Sequence, residues 1–407
     1  MFVLVWTRVA DVGPASSKSN CVMMKHGLCA LHDTGPPKGS DNYTTLVVLH
    51  GYAWHSAVFI RLLPLSEKYN SRVVLVNRRD YPGAIPFDEE ELRRLNSVIP
   101  ATPDAAANIK MYMKDRAREL YGFLEDFVKT EEIPPSAGDT GGLVVAGWSF
   151  STIWMTALLA HVSTFPRNDV ELHRYVRRVV AYGTPYLTRF LLVADHLLMV
   201  HLSNLFRTDP PYHSLGYPPP AEFYNPLSHA SLPRGEGAKL FPAWVSGYYR
   251  HGDSPSELEH RTALHEPRPT ILTMSQEDVL SALHAAPTDP GGSDAILLEA
   301  GIRHGLYASL KEAALYPPTS TSLETVSKNH WPDVEVRYLW CDHSVWEMPW
   351  GTWALQAELE TSKRSGKRMR NIRLVRLRGA NHFAHWDQPE RVFRALLENG
   401  NADDYHL

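Results

Sequence analysis

The stretch LVVAGWSFSTIW occupies residues 143–154 of a chain of 407 residues. An apolar, β-branched run, typical of a buried strand, leads directly into a short turn and then into a helical pattern. The turn follows the G-x-S-x-G nucleophile pattern, with Ser151 in place of the last glycine. A sharp turn leaves little room for side chains two positions from the nucleophile, which explains Gly147 and the small Ser151. The stretch therefore predicts Ser149 as a nucleophile; the alternative is an ordinary strand-to-helix turn with a capping serine.

Other apolar runs of the same kind predict a mostly parallel sheet that is covered by helices on both faces. The predicted strands are Thr45–His50, Arg72–Asn77, Leu143–Gly147, Arg178–Gly183, Val334–Trp340 and Ile372–Leu377, with a mixed run at Val22–Leu31 that opens the sheet. The predicted helices between and after them are Asp104–Lys129, Ser151–Val162 and Gln388–Leu397. This alternation predicts an α/β fold.

The alternation breaks over about 140 residues that are rich in proline, histidine and aromatic residues. We interpret 188–330 as a mainly helical cap, inserted into a core formed by 21–187 and 331–407, with 1–20 as an N-terminal extension.

Lys+Arg is 41 and Asp+Glu is 45, so the net charge of −4 provides no basic field for nucleic acid. The three cysteines form no metal pattern, and neither a signal peptide nor a transmembrane segment is recognisable, which predicts a cytoplasmic protein.

The sequence HGYAW follows the first of the parallel strands. Gly51 allows the backbone to approach a substrate closely, and His50 is a candidate substrate contact. In acyl transfer, a backbone N–H at this turn and one from the residue after the nucleophile can hold an oxyanion. Those N–H groups belong to Tyr52 and Phe150. The alternative is a glycine turn in which His50 is a structural hydrogen-bonding group.

A histidine stands in the turn after the last predicted strand, in the sequence GANHFAHWDQPE. A general base must lie on a loop over the nucleophile with one ring nitrogen free. His382 fits this position better than His385, which lies closer to the following helix. His382 is therefore the predicted base.

The motifs HGYAW, NRRDYPG, GWSFS and GANHFAHWDQPE occur in an order and spacing that resemble the α/β-hydrolase superfamily. The resemblance covers about 22–185 and 331–399, and is greatest for uncharacterised fungal-type serine hydrolases with a large cap. It implies an eight-stranded, mostly parallel sheet and a Ser–acid–His triad in that chain order. Epoxide hydrolases and dehalogenases of this superfamily use an aspartate at the nucleophile position, whereas Ser149 indicates acyl chemistry.

The resemblance places the triad acid in the loop after the strand that precedes the histidine strand. Strict alignment puts Ser344 at the acid position, so Asp342, two residues earlier, is the preferred candidate and Glu347 the second. Asp195 is a third possibility, because some members carry the acid after the strand that here ends at Gly183. A Ser–His dyad without a carboxylate remains the alternative.

The expected function is hydrolysis of an ester or related acyl bond in a moderately large apolar small molecule, with no cofactor and no metal. Aromatic residues of the cap, with Trp148 and Trp346 near the site, are candidate substrate contacts, although packing of the cap explains most of them. An acyltransferase uses the same triad, and a ligand-binding protein with little activity uses the same fold. The sequence leaves the oligomeric state open.

Overall fold

The computed structural model describes residues 23–166, 170–183, 215–218, 220, 223–227, 229, 231–233, 236–317 and 331–400. The predicted N-terminal extension, both predicted boundaries of the cap and the candidate acid Asp195 lie outside these residues.

An eight-stranded sheet forms the centre of the molecule, with the order β1-β2-β4-β3-β5-β6-β7-β8. The strands are β1 (Met23–Lys25), β2 (Leu28–Asp33), β3 (Thr44–Leu49), β4 (Ser71–Asn77), β5 (Leu143–Trp148), β6 (Val176–Tyr182), β7 (Glu335–Cys341) and β8 (Ile372–Leu377). Strands β3 to β8 run parallel to one another, and β1 and β2 are antiparallel. The prediction of a mostly parallel α/β sheet is confirmed; the mixed run at its start is a hairpin, since His26 and Gly27 both adopt the positive φ that a tight turn requires.

Successive residues of the central strands pack into different layers, which explains their unbroken apolar character. Val47 and Val145 contribute to one hydrophobic core, and Val48 and Ala146 contribute to the core on the opposite face. A strand that is buried on both faces carries apolar residues at every position rather than at alternate ones.

Ten α-helices lie in the described part of the chain. They are α1 (Glu89–Asn96), α2 (Pro103–Thr130), α3 (Thr152–His161), α4 (Glu236–Val245), α5 (Gln276–Ala282), α6 (Ser293–Arg303), α7 (Leu306–Leu315), α8 (Glu347–Arg364), α9 (Ala384–Asp387) and α10 (Pro389–Leu397). Helix α2 begins where Thr102 accepts a hydrogen bond from the Ala105 N–H and Pro103 occupies the first position. Helix α8 was not foreseen from the sequence, because its scattered apolar residues give a weak amphipathic pattern.

The segment between β6 and β7 contains helices and loops, and no strand, among its described residues. Its last two helices belong to the core, since Leu297, Leu306 and Leu310 join the hydrophobic cluster that also contains α3. Earlier in the segment, Leu283 forms an antiparallel bridge with Trp54 in the loop after β3. The described part of this insertion is thus divided between a core layer and a layer over the ends of the parallel strands.

Candidate active site

Ser149 lies at the carboxyl end of β5, where the chain turns sharply into a 3₁₀ turn (Ser149–Ser151) and then α3. Its φ angle is +55°, in the left-handed region that non-glycine residues rarely adopt, and such strain is typical of functional turns. A Cβ built on Gly147 would lie 2.3 Å from the Ser151 carbonyl oxygen, so only glycine fits there. The sequence positions the serine side chain at the end of the sheet, as a nucleophile elbow requires.

The loop after β8 brings His382 to Ser149. The Nε2 atom of His382 lies 3.1 Å from the Ser149 Oγ atom. Asn381 holds the loop, because its side-chain amide donates to the Ser246 carbonyl oxygen at 2.7 Å and its oxygen accepts from the Phe383 N–H at 3.0 Å. The competing His385 is fully buried, with its Nδ1 atom 3.2 Å from the Tyr182 hydroxyl. The structure therefore pairs Ser149 with His382 and places His385 in the packing below the site.

Trp148, a predicted substrate contact, instead supports His382. Its indole N–H donates to the His382 carbonyl oxygen at 3.1 Å, and the two rings stack with centroids 5.0 Å apart. The indole is only 1% exposed, so the expectation of substrate contact is corrected. Trp148 is the last residue of the buried strand β5, and its side chain joins the apolar layer on one face of the sheet.

Burial controls the electrostatics of His382. The ring is only 2% exposed, and this burial lowers its pKa from 6.5 to about 3. Its Nδ1 atom has no hydrogen-bond partner among the described residues. A Cβ built on Gly183 would lie 3.1 Å from that Nδ1 atom, so the backbone at the end of β6 covers this edge of the ring. His382 is therefore a neutral base whose second nitrogen meets no acceptor in the described part of the chain.

The expected contact between Asp342 and His382 is not formed. The Asp342 carboxylate accepts from the Gly379 N–H at 2.6 Å and from Arg376 Nε at 2.9 Å. It therefore ties the loop after β7 to the loop after β8 without reaching the imidazole. The physical reason is that Asp342 stands two residues before Ser344, the position at which strict alignment expects the acid.

Glu347 does not supply the acid either. Its carboxylate is buried at the start of α8 and accepts from the Asn225 side-chain amide at 3.0 Å. Ser344, which occupies the strict acid position, is also fully buried, and its hydroxyl has no partner among the described residues. Within the described part of the chain, the geometry is that of a Ser–His dyad.

The loop after β3 carries the predicted oxyanion donor Tyr52 and lies against the nucleophile. A Cβ built on Gly51 would lie 2.9 Å from the Ser149 Cβ atom, so glycine allows close approach here. The Tyr52 N–H donates to no acceptor among the described residues. The Tyr52 ring meets the Phe150 ring edge-on at 5.5 Å, so the residues of both predicted oxyanion donors lie next to each other.

Two further predicted substrate contacts have structural roles. His50 is fully buried, and its Nε2 atom accepts a hydrogen bond from the Arg78 backbone N–H at 3.1 Å. The proton of the neutral ring is therefore on Nδ1, which donates to the Gly51 carbonyl oxygen at 3.0 Å. Trp346 is also fully buried and donates to the Tyr224 carbonyl oxygen at 2.7 Å. Both residues organise loops around the site instead of facing a substrate.

Sequence reasoning missed two supports of the oxyanion loop. Ser151, the departure from the glycine pattern, donates a hydrogen bond to the His50 carbonyl oxygen and so links the elbow to this loop. Arg78 donates to the Gly51 carbonyl oxygen at 3.0 Å and forms a bidentate pair with Asp294. An arginine directly after a buried strand indicates a buried partner, but the partner, 216 residues away, has no local signal.

No group of three or more histidine, cysteine, aspartate or glutamate side chains with metal-binding geometry occurs in the described residues. None of the helices in the same residues is long and apolar enough to cross a membrane.

An eight-stranded, mostly parallel sheet with a strained serine after its fifth strand and a histidine after its last defines a hydrolase of the α/β class. Residues 46–395 match the alpha/beta hydrolase family, and the chain belongs to that family.

Epoxide hydrolases are among the solved structures that the chain resembles, at low identity. Epoxide hydrolase VrEH1 from Vigna radiata is 10% identical, over 93% of this chain and 95% of that one, with a TM-score of 0.48. Potato (Solanum tuberosum) epoxide hydrolase I is 12% identical, over 92% and 96% of the two chains, with a TM-score of 0.46. No curated protein matches the chain.

Proposed function

We propose that this protein is a serine hydrolase that cleaves a carboxylic ester or related acyl bond through an acyl-enzyme. One observation carries the proposal: Ser149, held at a φ of +55°, presents its hydroxyl 3.1 Å from His382 Nε2. A strained serine beside a neutral imidazole is the arrangement that nucleophilic acyl transfer requires.

The chemistry follows from these groups. Ser149 attacks the acyl carbon while His382 Nε2 takes its proton, and the N–H groups of Tyr52 and Phe150 stabilise the oxyanion. The imidazolium then returns the proton to the leaving alcohol. In the second half, water attacks the acyl-enzyme, again with His382 as base, and Ser149 is released.

A Ser–His dyad, which is all that the described residues provide, predicts slow turnover. Accepting the Ser149 proton at Nε2 requires the tautomer that carries its proton on Nδ1. Among the described residues no acceptor at Nδ1 favours that tautomer, and no carboxylate stabilises the imidazolium that forms. Stacking on Trp148 and the bond to the His382 carbonyl oxygen still fix the plane of the ring.

The expected substrate is a moderately large apolar acyl compound. The size and apolarity of the substrate stay a prediction from the sequence, since Phe150 and Trp54 beside the elbow are core residues. Ser149 favours acyl substrates, since a serine ester formed from an acyl group is readily hydrolysed by water. A series of p-nitrophenyl esters of increasing chain length measures this preference, and a rate that falls steadily with chain length contradicts it.

The direct test is labelling with a fluorophosphonate, which reacts rapidly only with an activated serine. Intact mass spectrometry is expected to show one adduct on the unchanged protein, located at Ser149 by peptide mapping. Ser149→Ala is expected to remove the adduct, whereas Ser163→Ala, a half-buried serine after α3, is the matched control and retains it. Equal labelling of the Ser149→Ala variant would reject the proposal.

A ligand-binding protein with little activity is the second candidate, favoured by the His382 Nδ1 atom, for which the described residues provide no acceptor. The two functions differ in the acyl-enzyme step. A hydrolase releases p-nitrophenol in an amount that exceeds the enzyme many times, whereas a binding protein releases none, or a single equivalent that stays bound as an acyl adduct.

A further inference from the structure

The Gly51 carbonyl oxygen, one residue before the predicted oxyanion donor, accepts two side-chain hydrogen bonds. One comes from His50 Nδ1 at 3.0 Å and the other from Arg78 Nη2 at 3.0 Å. A loop carbonyl next to an active site is ordinarily free to face water. Here both bonds are buried, so this carbonyl has a fixed direction.

The arginine is itself held from several sides. Both of its terminal nitrogens donate to the Asp294 carboxylate at 2.7 Å, and Tyr81 donates to the same carboxylate at 2.7 Å. The side chains of Arg78 and Asp294 are only 3% and 5% exposed. The guanidinium also lies over the ring of Trp154 at 4.3 Å. A buried ion pair of this kind is stable only in a narrow range of geometries, because each of its remaining polar atoms also needs a hydrogen-bond partner.

The direction of the Gly51 carbonyl determines the direction of the Tyr52 N–H, because both belong to one planar trans peptide unit. In such a unit the C=O and N–H bonds point in opposite directions. Fixing the oxygen towards Arg78 therefore points the hydrogen away from it, and that N–H has no acceptor among the described residues. The adjoining Gly51 is packed against Ser149, which places this peptide beside the nucleophile.

We propose that Arg78 and Asp294 are positioning residues, which orient the Tyr52 N–H of the oxyanion hole by holding the Gly51 carbonyl oxygen. The inference rests on the proposed serine hydrolase function. The guanidinium also polarises the shared peptide unit, which strengthens the N–H as a donor to a developing oxyanion. Asp294 lies in the first turn of α6, the first core helix of the insertion, so the site depends on a residue contributed from outside the elbow and histidine loops.

The variant that tests this proposal is Arg78→Met together with Asp294→Asn, which removes both charges and so leaves no unpaired buried charge. Its readout is the ratio of kcat/KM for an ester to that for the matching thionoester. Sulfur is a weaker hydrogen-bond acceptor than oxygen, so the advantage of the ester reports on the oxyanion donors. Loss of a single donor costs about 10²–10³ in kcat. For a misdirected donor we expect kcat for the ester to fall about 10- to 100-fold, KM to change less than about threefold, and the ratio to fall about tenfold.

A second buried pair provides the matched control. Arg72, near the opposite end of β4, binds Asp33 with side chains 5% and 6% exposed, and also binds the half-exposed Glu131 at 2.9 Å. Arg72→Met with Asp33→Asn is expected to lower stability but to leave the ester-to-thionoester ratio unchanged. If the Arg78 double variant fails to fold, Arg78→Lys keeps the charge but cannot form the planar fork. It is then expected to reduce the ratio by a smaller factor.

The outcomes separate the two proposals. If the wild-type protein is active and both double variants keep its ester-to-thionoester ratio, the positioning role is overturned and the hydrolase function stands. If the wild-type protein neither reacts with the fluorophosphonate at Ser149 nor cleaves any ester, the function and the positioning role are overturned together. A ratio that falls only in the Arg78 variants supports both.

Discussion

Asp342 and His382 lie on neighbouring loops of the sheet but do not bond to each other. The Asp342 carboxylate is occupied by the Gly379 N–H and Arg376, and the His382 Nδ1 atom has no acceptor in the described part of the chain. This arrangement leaves Ser149 paired with a histidine that no described carboxylate orients.

Replacement of Asp342 by asparagine is therefore expected to affect stability more than catalysis. Loss of a true triad acid costs about 10⁴ in kcat, whereas here kcat is expected to change less than about threefold. The free energy of unfolding is expected to fall by about 1 kcal/mol, because the charge-assisted bonds are weakened. Ester turnover and urea denaturation measure the two effects, with Glu347→Gln as a parallel variant. A loss of kcat approaching 10⁴ in Asp342→Asn would restore it as the triad acid.

The two histidines of the GANHFAHWDQPE segment are expected to respond differently to replacement. His382→Ala is expected to abolish turnover and labelling, because Ser149 loses its only described base. His385→Asn is expected to retain activity within about tenfold but to lower the free energy of unfolding by about 1–3 kcal/mol, since a buried hydrogen bond to Tyr182 is lost. Labelling rates and thermal unfolding distinguish them, and the reverse ranking contradicts the assignment of the base.

The buried, neutral His382 gives the activity a characteristic pH dependence. Its pKa is about 3 in the folded protein, so the base form persists throughout the mildly acidic range. We expect kcat/KM to be flat from about pH 5 to pH 8, where an ordinary histidine base with a pKa near 6.5 loses activity. Stopped assays at each pH, corrected for the stability of the protein, measure the profile. A midpoint near pH 6.5 is inconsistent with this structure.

The same shift makes stability depend on pH in a predictable direction. The folded pKa of His382 is below the unfolded value, so its contribution is complete above about pH 6.5 and is lost as the pH falls towards 3. At pH 5 the loss is about 2 kcal/mol for such a residue. Urea denaturation at pH 7.5 and pH 5.0 is expected to show a smaller acid loss in His382→Gln than in the unchanged protein. Identical losses in both would mean that His382 is not buried in the neutral form.

The close approach of Gly51 to Ser149 predicts a selective effect of one methyl group. Gly51→Ala places a Cβ atom 2.9 Å from the Ser149 Cβ atom and from the Trp148 ring, so the oxyanion loop must shift. Labelling and ester turnover are expected to fall at least tenfold. Gly351→Ala in α8 is the control, because its nearest neighbour lies 3.8 Å away and alanine favours a helix. Equal activity in both variants would show that the loop does not need this contact.

The strands and the elbow could be predicted from the sequence because their signals are local. Continuous apolar runs identify strands that are buried on both faces, and Gly147, Ser149 and Ser151 mark a turn whose geometry depends on adjacent residues. The position of His382 after the last strand could be predicted for a related reason. Parallel strands bring their carboxyl ends to one edge of the sheet, so a loop after β8 and a turn after β5 lie on the same side.

The groups that surround the dyad were decided only by tertiary structure. Whether Asp342 reaches His382 depends on a shift of two residues at the end of β7, and no local pattern specifies it. Arg78 and Asp294 are 216 positions apart and meet only after the insertion has folded onto the core. Burial likewise decides the pKa of His382, because the desolvation of an imidazole depends on the layers packed around it and not on the residues beside it in the chain.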